Sequence, residues 1–365
     1  MRVLIMGCGG LGGCIAAALS ECGTDVLAVT HNPAIAKSIQ ENGYILEDGD
    51  STRRVRGRAV ATLRDNGPFD VILLATPPNS VVEAARTALP TLAAQGIVVC
   101  LQNGVCETRV AEVAGADRVV GAVVGWGASM PAVGVYDRTS DGGFSIGRVN
   151  GEEDAQIASL ADLLRPIGPV AITANLLGAR WSKLAINCAI SSLGTIGGTR
   201  LGQLIRRRPV RRMALEVMTE AALTARGLDI RLEKIAGTID LDMVTLTAAE
   251  ALGGNSPALA MKHAILLAVG LKFRRLRSSM LAAIERGREP AVDYLNGEVV
   301  EHGAGCGVLT PLNHRVQQTI HAIADGQLRP GLDLLERVYR ESRDEVRESV
   351  VARIETASRI EHPPL

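Results

Sequence analysis

Short apolar runs alternate with helical stretches over about the first 174 residues of the chain. Val3-Leu4-Ile5 opens the series, and similar runs follow at 26–29, 71–75, 97–101 and 119–127. Shorter runs at 142–147 and 168–173 complete it. Continuous apolar strands separated by helices are typical of a mostly parallel sheet that is covered on both faces. The pattern therefore predicts an α/β domain in the first half.

From Leu176 onward the apolar positions recur with a period of about 3.6, and strand patterns disappear. This period is that of helices packed on one face. We therefore predict an all-α second half, with the boundary near Asn175 and domains at 1–175 and 176–365. The charged stretch 336–359 predicts an amphipathic helix that caps the domain or contacts another subunit.

The first apolar run leads directly into a G-x-G-x-x-G turn, Gly7-Cys8-Gly9-Gly10-Leu11-Gly12. In such a turn the first glycine permits a tight bend, the second lets the backbone approach a pyrophosphate, and the third allows close helix packing. The alternative is a glycine-rich turn without a ligand, since 39 glycines make chance matches common. The helix and strand that follow complete a βαβ unit, so the turn predicts a Rossmann-type dinucleotide-binding domain.

The second strand ends in Thr30-His31-Asn32, without a carboxylate. An acid at this position accepts a hydrogen bond from the ribose 2′-OH of NAD, whereas its absence leaves room for the 2′-phosphate of NADP. We therefore predict NADP as the cofactor, with Thr30, His31 and Asn32 as candidate contacts and Lys37 nearby. The alternative is that these are ordinary polar loop residues.

Composition excludes several other classes of function. The chain has 365 residues with 39 basic and 39 acidic side chains, so electrostatics do not favour nucleic-acid binding. Six histidines and seven cysteines show no metal-binding spacing, and no metal site is expected. The longest apolar stretch, 264–271, is too short to cross a bilayer. We expect a cytoplasmic protein with reduced cysteines, no leader and no membrane contact.

Candidate chemistry lies in both halves. Lys183, Asn187 and Ser191 recur at i, i+4 and i+8 of a predicted helix and share one face. A lysine and an amide on an otherwise apolar helix are costly to bury unless they meet a ligand or each other. The alternative is a lysine whose ammonium group reaches solvent at a domain edge. In the first half, Asn103 follows the 97–101 strand, at the sheet edge where open α/β sheets bind ligands.

Five ordered motifs, together with the glycine turn, resemble the ketopantoate reductase family. They are Leu101-Gln102-Asn103-Gly104-Val105, Trp181-Ser182-Lys183-Leu184 with Asn187, Arg277-Ser278-Ser279-Met280-Leu281, Asp293-Tyr294-Leu295-Asn296-Gly297 and Gly307-Val308-Leu309-Thr310-Pro311. The resemblance implies a Rossmann domain joined to a helical domain, with NADPH and a 2-oxo acid meeting in the cleft between them. It also implies a homodimer formed through the helical half.

The resemblance also implies roles for individual residues. Lys183 would be the general acid that protonates the substrate carbonyl oxygen as hydride arrives from the nicotinamide. Asn103 would position cofactor and substrate. Asn187, with Ser191 on the same face, would bind the substrate oxygens, and Ser279 would bind its carboxylate.

The chain departs from the family pattern at three positions. Pro77 stands where the biosynthetic reductases usually have a lysine, Ala291 where they have a glutamate, and Ser191 where they have an asparagine. Two of these departures remove charges that would contact the substrate. The prediction is therefore reduction of 2-dehydropantoate or a related 2-oxo acid. The alternatives are another carbonyl or imine substrate, and a catalytically silent NADP-binding sensor.

The segment 243–271 exceeds what a compact member of the family needs. Its Gly253-Gly254-Asn255-Ser256-Pro257 centre suggests a lid or an extension of a subunit interface. The alternative is a loop and a core helix without a functional role.

Overall fold

The computed structural model describes residues 1–48, 51–64, 67–234 and 239–343. The chain divides into two compact units, Met1–Arg180 and Trp181–Leu365. Of the predicted 336–359 helix, the part up to residue 343 is helical, within a helix that begins at 332. The remainder of that prediction lies outside the described residues.

The first unit is built on an eight-stranded sheet. Its strands are β1 (Arg2–Met6), β2 (Asp25–Val29), β5 (Arg58–Val60), β6 (Phe69–Leu74), β7 (Leu92–Cys100), β8 (Val119–Val124), β11 (Phe144–Gly147) and β12 (Val170–Ile172). They lie in the order β12-β11-β8-β7-β6-β1-β2-β5. The last six strands in this order run parallel, and β11 pairs with β8 antiparallel. The order of the parallel strands, read from β5, is that of the doubly wound dinucleotide-binding fold. The predicted Rossmann-type fold is confirmed.

Five helices accompany this sheet in the first unit: α1 (Gly10–Glu21), α2 (Pro33–Asn42), α3 (Val81–Ala88), α4 (Glu107–Ala114) and α5 (Ala155–Leu164). The strands are nearly continuous apolar runs because both sheet faces are covered. All six residues of β8 are buried, as are four of the five in β1. The resulting core extends from Val3 and Ile5 through Ile15 to Leu160.

A second, four-stranded sheet has no counterpart in the sequence prediction. Its order is β4-β3-β10-β9, formed by β3 (Tyr44–Asp48), β4 (Ser51–Val55), β9 (Ala128–Ala132) and β10 (Val135–Arg138). Four of the five residues of β4 are exposed, so its sequence lacks the apolar run that marks a buried strand. The predicted strand 119–127 ends at Val124, and β9 and β10 occupy the stretch that was left without strands.

The described residues of the second unit contain helices and no strand, as predicted. Its first helix, α6 (Leu176–Gly197), begins at the predicted residue, and its first five residues belong to the first unit. The helices that follow are α7 (Leu201–Ile205), α8 (Arg208–Gly227), α9 (Leu241–Val244), α10 (Ala248–Ala251), α11 (Pro257–Lys272), α12 (Ser279–Ile284), α13 (Glu298–Gly305) and α14 (Pro311–Ala324). A π-helical turn at Asp293–Gly297 precedes α13.

Candidate functional site

The glycine turn between β1 and α1 has the geometry that a dinucleotide requires. Gly7 has a φ of +102°, and a Cβ there would lie 2.8 Å from the backbone of Ala75 and Thr76. A Cβ on Gly12 would lie 2.0 Å from the carbonyl oxygen of Gly7. A Cβ on Gly9 would meet nothing within 4 Å. Gly7 and Gly12 thus permit the bend and the close packing, and Gly9 leaves free space at the helix start.

Other residues of the turn are also closely packed. A Cβ on Gly10 would lie 2.8 Å from the Cα of Ser129, and Leu11 is half-buried. The sequence analysis missed Gly13, where a Cβ would come within 1.9 Å of the Tyr136 ring. In the sequence, Gly13 is recognisable as a further glycine directly after the last glycine of the motif. Because the first N–H groups of α1 have no acceptor within the helix, the turn fits the pyrophosphate of a dinucleotide.

Cys8 contributes its backbone to the turn, since its side chain is buried. Its Sγ lies 3.3 Å from the Tyr136 hydroxyl, which donates a hydrogen bond of 3.2 Å to the Cys8 carbonyl oxygen. Burial raises the pKa of the Cys8 thiol to about 11, an effect that the hydrogen bond to Tyr136 only partly offsets. The thiol is therefore protonated at neutral pH and anchors the turn rather than reacting.

The three candidates at the end of β2 occupy different environments. Thr30 is buried, and its N–H donates to the Val60 carbonyl at 3.0 Å. His31 is exposed. The Asn32 side chain caps α2 by accepting the Ala34 N–H at 3.0 Å. His31 and Asn32 are both exposed, but the carboxamide oxygen of Asn32 is committed to the helix.

Two buried polar atoms without partners mark the ends of β6 and β7. Gln102 is 5% exposed, and its Nε2 donates to the carbonyls of Leu74 at 2.8 Å and Thr76 at 3.0 Å. Within the described part of the chain, Gln102 Oε1 and Thr76 Oγ1 have no hydrogen-bond partner. Such orphaned atoms are costly unless a ligand or water meets them. They lie at the strand ends next to Gly7, where the fold binds its cofactor.

Asn103 follows Gln102, and its side chain is exposed. The next residue, Gly104, has a φ of +93° and turns the chain away from the sheet. Asn103 is thus presented at the carboxyl end of β7 on a sharply bent loop, which we define as residues 101–106 and call the Asn103 loop.

A buried ion pair that the sequence analysis missed holds this loop. Arg180 is 2% exposed and Glu107 is fully buried. The Arg180 guanidinium donates to Glu107 Oε1 through Nε at 2.7 Å, to the Gln102 carbonyl through Nη1 at 2.7 Å and to the Cys100 carbonyl through Nη2 at 2.7 Å. The signal for Arg180 was its spacing, since it precedes Lys183, Asn187 and Ser191 by three, seven and eleven residues.

The predicted polar stripe of α6 stands out by its exposure. Between residues 181 and 197, only Lys183, Asn187, Ile190 and Ser191 are half-buried, and every other position is buried. These four positions lie on one side of the helix. The structure therefore brings Lys183, Asn187 and Ser191 together as the accessible face of a helix whose other sides are packed.

A chain of buried hydrogen bonds fixes the opposite side of α6. Ser192 Oγ donates to Asn296 Oδ1 at 2.5 Å, and Asn296 Nδ2 donates to Asn313 Oδ1 at 2.8 Å. Asn313 in turn donates to Glu220 at 2.7 Å. Glu220 also accepts the Leu312 and Asn313 N–H groups, each at 2.9 Å. Burial raises the pKa of Glu220 to about 7 despite these hydrogen bonds. The network ties α6, α8 and α14 together and orients the stripe.

The two serines of the Arg277-Ser278-Ser279 motif separate into different roles. Ser278 is buried, caps α12 through the Leu281 N–H at 3.3 Å and donates to the Ser191 carbonyl at 2.8 Å. Ser279 is exposed. Ser278 therefore fixes α12 beside Ser191, and the neighbouring Ser279 hydroxyl faces outward.

Two of the three departures from the family pattern are apolar residues that differ in exposure. Pro77 is exposed before a 3₁₀ turn at Pro78–Ser80, and Ala291 is half-buried. Asp293, two residues beyond, accepts from Gln317 at 2.7 Å and lies 2.8 Å from His321 Nε2. Its carboxylate is occupied there and does not replace the glutamate that Ala291 displaces.

Two absences apply to the described residues alone. Among them, no group of three or more His, Cys, Asp or Glu side chains is arranged to hold a metal ion. In the same part of the chain, no helix is both long and apolar enough to cross a membrane.

Comparison with known proteins confirms the resemblance that the motifs indicated. The family model described as ketopantoate reductase PanE/ApbA matches residues 3–151, and the one for its C-terminal part matches 175–324. The 2-dehydropantoate 2-reductase of Pyrococcus abyssi is 27% identical over 316 residues, 86% of this chain and 94% of that protein. The enzyme of the same name from Mesorhizobium japonicum is 26% identical over 352 residues, covering 89% and 98%.

Solved structures share the fold along nearly their whole length. The PanE/ApbA family ketopantoate reductase from Ralstonia eutropha JMP134 superimposes with a TM-score of 0.75 at 25% identity, covering 90% of this chain and 99% of that one. D-mandelate dehydrogenase with NADH and anilino(oxo)acetate gives 0.76 at 19% identity, covering 89% and 99%, a likeness of fold alone. Since the two family models together span most of the sequence, the chain belongs to the ketopantoate reductase PanE/ApbA family.

Proposed function

We propose that the protein is an NADPH-dependent reductase of a 2-oxo acid, 2-dehydropantoate or a related substrate. Membership in a family of reductases confirms the prediction of an oxidoreductase. The observation that supports this reaction best is the accessible Lys183–Asn187–Ser191 stripe on the otherwise buried part of α6 that follows Arg180. A helix that presents three polar side chains on one face, while its other sides are packed, is suited to bind a polar ligand.

The mechanism is hydride addition to the carbonyl carbon with proton delivery to the oxygen. When bound, NADPH supplies the hydride. Lys183 donates a proton from its ammonium group to the carbonyl oxygen, which gains negative charge as the hydride adds. Asn187 and Ser191 donate hydrogen bonds to the substrate oxygens, and the Ser279 hydroxyl binds the carboxylate. Asn103 positions the reacting groups from the end of β7.

The cofactor assignment rests on the first unit. The glycine turn fits a pyrophosphate, and Gln102 Oε1 and Thr76 Oγ1 supply unsatisfied polar atoms at the adjoining strand ends. No acid follows β2, and the exposed His31 stands where a carboxylate would repel a 2′-phosphate. These features support NADPH over NADH.

The two apolar replacements bear on which substrate the protein reduces. Pro77 and Ala291 remove a cation and an anion from positions where the resemblance places substrate contacts. The carboxylate that Ala291 replaces would accept a hydrogen bond from a substrate hydroxyl. Without this hydrogen bond the site no longer selects strongly for a substrate that carries the hydroxyl. A 2-oxo acid without that hydroxyl is therefore the related substrate that these positions favour.

The test is oxidation of NADPH and of NADH by the purified protein with 2-dehydropantoate and with 2-oxo acids that have apolar side chains. We expect turnover that is faster with NADPH and is not improved by the hydroxyl. Preference for 2-dehydropantoate would show that Pro77 and Ala291 are tolerated replacements. Reduction of imines or other carbonyls alone would favour the alternative reductase. NADPH binding without any turnover would favour the silent sensor.

A further inference from the structure

We propose that the Arg180–Glu107 pair is a positioning device for the Asn103 loop, which it holds in the conformation needed for reduction. This inference rests on the proposed function, because it assigns Asn103 a place in the reaction. Neither Arg180 nor Glu107 is exposed enough to touch a substrate, so the pair acts through the loop.

The geometry of the guanidinium supports this role. All three nitrogens of Arg180 are used, and two of them donate to backbone carbonyls, those of Cys100 and Gln102. Cys100 is the last residue of β7, and Gln102 directly precedes Asn103. The arginine thereby fixes the two peptide units that determine how the chain leaves the strand. A lysine has the same charge but no planar fork, and it cannot replace these contacts together.

The free-energy cost of burying this ion pair indicates that the pair has a role other than stabilising the fold. Both charges are removed from water, and a buried ion pair often contributes no more to stability than apolar residues of similar volume. Glu107 Oε2 also has no hydrogen-bond partner among the described residues. An apolar pair would fill the same space without that cost, but it would leave the Cys100 and Gln102 carbonyls unheld.

Arg148 offers a matched control within the same unit. It is also buried, pairs with Asp154 at 2.8 Å and donates to the Asp117 carbonyl. Asp117 lies in a 3₁₀ turn, Asp154 caps α5 and Gln156 lies in the first turn of α5, so none of these partners belongs to the glycine turn or the Asn103 loop. Loss of Arg148 therefore reports the general cost of removing a buried arginine.

The test compares R180K, the double variant R180M/E107L and R148K. We expect R180K and R180M/E107L to lower kcat by about 10- to 100-fold, since displacement of reacting groups by about 1 Å costs that much. The NADPH dissociation constant should rise by a smaller factor than kcat falls, because the glycine turn that would hold the pyrophosphate is untouched. The double variant leaves no charge unpaired and should lose thermal stability only through the two carbonyls that Arg180 no longer contacts, and R148K should lose stability while keeping kcat.

Amide hydrogen exchange gives a readout that needs no activity. Peptides covering 101–106 should exchange faster in R180K than in the wild type, and their exchange should be unchanged in R148K. Wild-type kcat in R180M/E107L, or unchanged exchange of the Asn103 loop, would overturn the positioning role even if the protein is an active reductase. A wild-type protein that turns over no substrate would instead overturn the proposed function, and the exchange data would then still decide whether the pair orders the loop.

Discussion

Lys183 is the one residue to which the proposed mechanism assigns the proton. It lies half-buried on the accessible face of α6, beside Asn187 and opposite the Ser192–Asn296 hydrogen bond. Lys183→Met keeps the length and most of the volume of the side chain but removes the ammonium group. Because general acid catalysis contributes about 10²–10⁴-fold, we expect kcat to fall by that factor while the NADPH dissociation constant stays unchanged.

The control for this prediction is Lys272→Met, at the exposed end of α11 in the same unit. It removes an ammonium group without touching the stripe and should leave kcat within about twofold. Steady-state rates under saturating cofactor, measured beside cofactor binding by fluorescence, check both variants. A K183M enzyme with wild-type kcat would assign the proton to another group.

At the scale of single residues, prediction from sequence succeeded where the local structure requires one particular residue type. Gly7 and Gly12 were identified because glycine is strongly favoured at a φ of +102° and because it alone lacks the Cβ that would lie 2.0 Å from a carbonyl oxygen at position 12. Arg180 was missed because an arginine in a sequence normally indicates a surface position, and its spacing from Lys183 did not show that the side chain is buried. Ser278 and Ser279 were indistinguishable in sequence, since capping depends on where α12 begins.

At the scale of elements, the segment 243–271 is tied together by one carboxylate. Glu250 forms a capping box with Thr247 and accepts a hydrogen bond from Ser256, which caps α11, at 2.6 Å. Lys262 on α11 pairs with Glu250 and donates to the Thr245 carbonyl at 2.8 Å. The segment is therefore an ordered part of the helical unit, in which α10 and α11 share a single buried ion pair.

Lys262→Met should destabilise the protein at pH 7, because it leaves Glu250 charged and buried without its cation. The expected loss is about 3–5 kcal/mol in the free energy of unfolding. Arg226→Met, which breaks an exposed pair with Asp242, should cost less than about 1 kcal/mol. Urea denaturation of the two variants beside the wild type measures the difference. Equal losses would mean that the buried pair does not hold the segment.

The same pair predicts the direction of a pH dependence. Burial raises the pKa of Glu250, but hydrogen bonds from Lys262, Ser256 and the Thr247 N–H outweigh it and lower the pKa from 4.5 to about 2. A carboxylate with a depressed pKa contributes stability that is complete above pH 4.5 and is lost as the pH falls toward 2. The difference between wild type and K262M should therefore shrink over that range.

How well a strand or helix could be predicted from the sequence depended on how deeply it is buried. The central strands β1, β6, β7 and β8 were predicted because both of their faces are covered and their sequences are continuously apolar. In the small sheet, β4 was missed because it is exposed, and β9 contains a proline. Strands β3 and β10 were missed because they are short and only one face of each is buried, through Tyr44 and Tyr136, so neither forms a continuous apolar run. Helix α6 was found at its true first residue, since its apolar period is long and regular.

At the scale of the whole molecule, the two units have different relations to the proposed reaction. The first has the glycine turn and the Asn103 loop, and the second has the Lys183 stripe and Ser279. The family models match both, at 3–151 and 175–324. The order of an α/β unit followed by a helical unit was predictable from the sequence. The substrate was not, because Pro77 and Ala291 remove contacts without indicating what replaces them.

The exposed face of α11 bears on the assembly of the molecule. Met261 and Leu271 are each 60% exposed and Leu267 is 37% exposed, while Leu259 and Leu266 are buried on the other side. A helix that is apolar on all sides is normally covered on all sides, and a patch of large apolar side chains marks an interaction surface. We propose that a second copy of the chain covers this face, in agreement with the homodimer that the family resemblance implies.

The double variant Met261→Glu with Leu271→Glu places two charges on that face and should convert the dimer to a monomer, because burying unpaired carboxylates costs more than the interface gains. Leu309→Glu, at another exposed apolar residue of the same unit, should leave the dimer intact. Analytical ultracentrifugation at several concentrations measures all three proteins. A wild-type protein that sediments as a monomer, or a double variant that remains dimeric, would show that α11 does not form the interface. Since Lys183 and Ser279 lie on other helices, the monomeric variant should keep its kcat.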